Sequence, residues 1–170
     1  LKGFTFDWYI EMWNKARLHQ ALWNSIKVGV IASIISTFIA LFAAKAFTRY
    51  KVKFSGLSYG AILLPFIIPE IIIAVAFIVI WTSMGLKLGL IPITISHILY
   101  CTPFCLLILI SRMEGFDKSL EEASMDLGEN AFGTFWRITF PLLLPGIIAS
   151  LLLSFVISFD EFILAFFLSS

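Results

Sequence analysis

Three acidic residues of this chain lie where water is scarce: Glu70, Asp160 and Glu161 each fall inside a long apolar run. A carboxylate in hydrocarbon is costly, and such residues mark a solute path, a proton relay or a buried partner. Glu70 directly follows Pro69 and comes shortly after Pro65, so missing amide donors leave carbonyls free to build a polar pocket beside it. Asp160 and Glu161 are neighbours, about 100° apart around a helix, and only one of them faces any given cavity. Several negative charges around one cavity attract a cation and repel phosphate or sulfate, so the chemistry expected is recognition of a positively charged solute. Trp8, Trp81 and Tyr100 could hold an ammonium group against a ring face, at about 0.5–2 kcal/mol each. The bland alternatives are a structural carboxyl at Glu70, neutral or paired with a buried base, and aromatic residues that only pack.

A second cluster, His97, Cys101 and Cys105, recurs at four-residue steps and raises the question of a soft metal. From His97 to Cys105 is ~12 Å along a helix, too far for one ion, and Pro103 interrupts the stripe. Packed thiols and one packed imidazole are the simpler reading, and helical geometry aims Cys101 and Cys105 poorly for a disulfide. No Walker sequence, nucleophile triad or GxSxG motif occurs, so the chain is not expected to be an enzyme.

The elements that must position these groups follow from composition. With 170 residues, 60% hydrophobic and 14% charged, and a mean hydropathy of +0.99, the chain is an integral membrane protein. Four runs are long enough to cross about 30 Å of hydrocarbon: 25–44, 57–81, 88–110 and 142–168. Period-two alternation is missing, which excludes a barrel and leaves an all-α, polytopic transmembrane helical bundle. Lys45, Arg49, Lys51 and Lys53 follow the first run, whereas only Lys87 lies between the second and third, which places 45–53 in the cytoplasm. The second and fourth runs then both rise outward. Glu70 stands ~20 Å above Leu57 and Asp160 ~22 Å above Pro145, so the acids share a level if the two runs are neighbours. Residues 1–24, with Phe4, Phe6, Trp8, Tyr9, Trp13 and Trp23, read as an extracytoplasmic amphipathic segment, and 25–170 as the transmembrane domain.

The same topology puts a polar island, 113–140, inside the cell. Ser119 with Glu122 reads as a capping box that starts a helix, and Gly128 is placed to end it. After Asn130 a second short helix is expected, with Phe132, Phe135, Trp136 and Phe140 along one face and Pro141 as its stop. An amphipathic hairpin resting on the membrane surface would fit the aromatic stripe alone.

The order Glu122, Ala123, Ser124, Gly128, Ile138, Pro141 resembles the EAA coupling loop of ABC importer permeases, with Ser124 for alanine and Phe140 for leucine. Further stretches, FTFDWY at 4–9, RYKVKFSG at 49–56, Pro69–Glu70, SRMEGFD at 111–117 and LSFVISFDEF at 153–162, are similar to the permeases of spermidine/putrescine importers. The resemblance implies a type I, MetI-like importer permease in the bacterial inner membrane, multi-pass, taking up polyamines by alternating access. It implies that Glu121, Glu122, Ala123, Asp126 and Gly128 engage an ATPase, and that Glu70, Asp160, Glu161 and Trp8 line the substrate path. The partners implied are an ABC ATPase homodimer that binds ATP and Mg, a second and different permease, an extracytoplasmic polyamine-binding protein and lipid, with no nucleic acid and no cofactor in this chain. Family members commonly have six spans, so the chain, which starts at Leu1 and ends just after an apolar run, is expected to be a piece of a longer subunit. The alternatives are an ABC permease for another cationic or small solute, and a proton-coupled cation carrier relaying through Glu70.

Overall fold

The computed structural model describes residues 6–50 and 55–169, and every described element is helical. A short helix α1 (Asp7–Trp13) leads into α2 (Ala16–Arg49). Then come α3 (Ser55–Ile67), α4 (Glu70–Ser83) and α5 (Leu90–Glu114). The polar island holds α6 (Ser119–Asp126) and α7 (Ala131–Thr134), and α7 continues through a π-turn (Phe135–Thr139) into α8 (Phe140–Asp160), followed by α9 (Phe162–Leu168). Three of these runs are long and apolar enough to cross a membrane: Ala16–Arg49, Leu90–Glu114 and Ala131–Asp160.

The core is the mutual packing of α2, α5 and α8. On α2 the buried residues are Val28, Gly29, Ala32, Ser33, Ser36, Thr37, Ala40, Leu41 and Ala44, a stripe at helical period made almost wholly of small side chains. Its bulky residues, among them Ile31, Ile34, Ile35, Phe38 and Phe42, point outward. That inversion belongs to a bilayer protein, where lipid takes the large apolar groups and small residues let backbones approach. On the facing helices Ser154 and Ser150 of α8 meet Cys101 and Cys105 of α5, with Cys101 Sγ 3.6 Å from the Ser154 carbonyl and Cys105 Sγ 3.7 Å from that of Ser150. Cys105 also meets Ser36 and Thr37 of α2. His97 is buried in the same seam, its Nδ1 2.8 Å from Ser158 Oγ.

Several sequence expectations are corrected. The helix of the first crossing extends well past 25–44 at both ends, since nothing between Ala16 and Arg49 breaks it. The second expected span, 57–81, is two half-helices. Pro69 adopts an extended ψ of 135° and caps α4, and a proline holds its predecessor Ile68 away from helical geometry. The fourth, 142–168, is cut at Glu161, whose ψ of 97° separates α8 from α9, and its helix starts much earlier, at Ala131. Pro141 stops nothing: it sits in the first turn of α8, where the wider π-turn before it accommodates the missing amide donor.

Candidate functional site

Glu70, Asp160 and Glu161 gather where α4 packs against α9. α4 lies against α9, and Ala74, Tyr100 and Leu164 form the small apolar core between α4, α5 and α9. Glu70 is the first residue of α4, and Tyr100 donates its hydroxyl to Glu70 Oε1 at 2.8 Å. Glu161 is 8% exposed and uses its carboxylate as the cap of α9, Oε1 accepting from the Leu164 amide at 2.7 Å. A carboxylate at that position satisfies an amide that the start of a helix leaves without a partner. Asp160 and Glu70 are exposed on this chain, and both act electrostatically on Glu161. The pair thus divides, with Glu161 turned in and Asp160 turned out. Trp81 is a core residue that donates to Ser96 Oγ at 3.1 Å, away from the acids. The side chain of Trp8, on α1, lies outside the described residues.

At the other end of the bundle α6 and α7 form a hairpin. The capping box expected at Ser119 and Glu122 is replaced: Asp117 Oδ1 accepts from the Ser119 amide at 2.9 Å, so the cap sits two residues earlier. That bond holds the Asp117 carboxyl below its ordinary value. Gly128 ends the arm with a φ of +91°, a conformation that side chains disfavour. Asn130 caps α7 by accepting from the Gly133 amide at 2.8 Å. Ser124 and Thr134 pair across the hairpin at 3.1 Å, and Arg137 meets Glu129 at 2.5 Å. Phe132 meets Trp136 edge to face and Trp136 meets Phe140 at a tilt, with Phe135 turned inward beneath Lys45, whose Nζ lies 4.4 Å from the ring centre.

The hairpin's exposed face carries Glu122, Ala123, Asp126 and Gly128, together with Leu127, 90% exposed, and Phe132, 74% exposed. Mixed acidic and apolar surface of this kind fits a protein partner better than bulk solvent. Glu121 is not on that face. It turns inward onto Arg49 and Thr139, two partners that the sequence left unremarked because they are remote from it along the chain. The only foreshadowing was a basic residue at the end of the first span opposite an acidic island.

The family model described as "Binding-protein-dependent transport system inner membrane component" matches residues 36–170. The spermidine/putrescine transport system permease protein PotC of Haemophilus influenzae is 30% identical, the match covering 99% of this chain and 65% of that protein. PotC of Escherichia coli strain K12 is 32% identical, with 99% and 64% covered. The putrescine transport system permease protein PotI of the same strain is 27% identical, with 98% and 62% covered. The chain therefore spans just under two thirds of the length of these curated relatives.

Proposed function

Because the chain belongs to the family of binding-protein-dependent transport system inner membrane components, multi-pass proteins of the inner membrane, we propose that it is a permease subunit of an ATP-driven importer of polyamines. It performs no chemistry itself. An ATPase homodimer binds ATP and Mg, and a second permease completes the pathway. An extracytoplasmic binding protein delivers spermidine or putrescine.

The observation that carries this reading is the unbroken helical run Ala131–Asp160. It begins in the hairpin and ends beside Glu161, about 44 Å away at 1.5 Å per residue. In the proposed cycle, ATP-driven closure of the ATPases draws the hairpin toward its counterpart. The run then tilts as a lever, and the acidic cluster of Glu70, Asp160 and Glu161 is turned from one side of the membrane to the other. Glu122, Ala123, Asp126 and Gly128 form the contact with the ATPase. The carboxylates take the ammonium groups of a flexible polycation, a role that agrees with the substrates printed in the names of PotC and PotI.

The test is uptake of labelled spermidine and putrescine by vesicles holding the full complex. Uptake should cease when ATP is exhausted, survive a protonophore, and be lost in Glu122→Ala and Gly128→Val while the complex still assembles. Uptake that persists without ATP and collapses with the protonophore would replace this reading with a proton-coupled carrier using Glu70.

A further inference from the structure

The neighbouring glutamates of the hairpin face opposite ways. Glu122 is exposed, whereas Glu121 is 9% exposed and is the one buried residue of α6. Both oxygens of Glu121 are engaged: Arg49 Nε donates to Oε2 at 2.6 Å, and Thr139 Oγ1 donates to Oε1 at 2.5 Å. Arg49 is itself held at the end of α2, its guanidinium carbon 4.9 Å from the Phe116 ring centre and its Nη2 3.5 Å from the Met113 carbonyl at the foot of α5. Thr139 is fully buried and closes the π-turn. One carboxylate therefore joins α6 to α2 and to the base of α8, with Arg49 adding the end of α5.

What makes this connection decisive is how little else α6 has. Its packing is against the π-turn and α7, and it contributes no buried apolar side chain. A helix attached by apolar contact slides or rolls on its support. One attached through a charged, doubly hydrogen-bonded carboxylate is fixed in register and direction, because geometry governs such bonds.

We propose that Glu121 is a positioning residue: by clasping Arg49 and Thr139 it converts movement of α6 into movement of α2 and of the π-turn, while Glu122 meets the partner. This rests on the coupling reading above. The two glutamates divide the task, one gripping outward and one inward, and the π-turn is the joint on which the inner grip acts.

The experiment uses the complete transporter in vesicles and measures polyamine taken up per ATP hydrolysed, alongside the ATPase retained on the purified complex. Glu121→Gln should keep the ATPase bound but lower uptake per ATP by about fivefold or more. Thr139→Val, which removes a single hydroxyl donor, should lower it in the same direction. It also decides the matter if Glu121→Gln fails to assemble. Exchange of the pair, Arg49→Glu with Glu121→Arg, should recover part of what each single change loses. An unaltered ratio in Thr139→Val and in an assembled Glu121→Gln complex overturns the inference, as does release of the ATPase from otherwise assembled Glu121→Gln permeases. If Glu122→Ala also leaves uptake and ATPase retention intact, the coupling reading falls and this inference with it. If Glu122→Ala alone is defective, only the inference falls.

Discussion

A carboxylate held among apolar helices needs a local reason to stay, and Glu70, Glu161 and Glu121 each have a different one. Glu161 is retained by the start of α9, Glu121 by a guanidinium and a hydroxyl, and Glu70 by one phenol. Of the three, Glu70 alone is exposed on this chain and open to a ligand. Tyr100→Phe removes its bond to the phenol with little change in volume. It should raise the KM for polyamine about tenfold, since hydrogen bonds to charged groups are among the stronger ones, and leave the amount of complex unchanged. Kinetics of uptake in vesicles would read this directly. Asp117 supplies a pH test outside the membrane. Its folded pKa is depressed by the Ser119 amide, so its stabilisation of α6 is complete above the unfolded carboxylate value and is lost as pH falls through the lower folded one. Protection of the Ser119–Glu122 amides, measured relative to their intrinsic exchange rates, should therefore fall only in acid, and Asp117→Asn should flatten that dependence. The residue types at these places were visible in the sequence. Their division of labour was not, because whether Glu121 or Glu122 turns inward depends on where Arg49 arrives from a distant helix.

The helices themselves were largely legible, since hydropathy over some twenty residues is a strong signal and small residues at helical period mark the packed face of α2. The breaks were less so. Pro69 announces the one before α4, but nothing in FDEFILAFF announces the one at Glu161, which exists because its carboxylate has a better partner in the Leu164 amide. Pro141 misled in the opposite sense, because a single wide turn can carry a proline that a regular helix could not. Close approach of the long helices gives the prediction at this scale. At Gly146 a Cβ would stand 3.0 Å from Arg112 Cγ, so α8 meets α5 there with no room to spare. Gly146→Val should drive the two helices apart and cost about 1–3 kcal/mol, seen as a lower thermal midpoint of the complex in detergent.

At the scale of the molecule, the hairpin and the acidic half-helices occupy opposite ends of one three-helix core, and Lys45 and Arg49 sit at the hairpin end. Cysteines introduced at Leu127 and Lys87, both exposed, should be labelled by an impermeant maleimide from opposite sides of the membrane, Leu127 only from the cytoplasm. The native Cys101 and Cys105 are buried and should stay silent. The two interruptions near the acids also set how the protein answers its solvent. α4 is about 21 Å long and α9 about 10 Å, neither matching hydrocarbon about 30 Å thick, whereas the run from Ala131 overshoots it. Acyl chain length thus acts on the bends at Pro69 and Glu161: thin bilayers favour folding the half-helices over and thick ones favour drawing them straight. In a series of phosphatidylcholines of increasing chain length, uptake should pass through a maximum, and straightening the upper joint with Pro69→Ala should move that maximum toward thicker lipid.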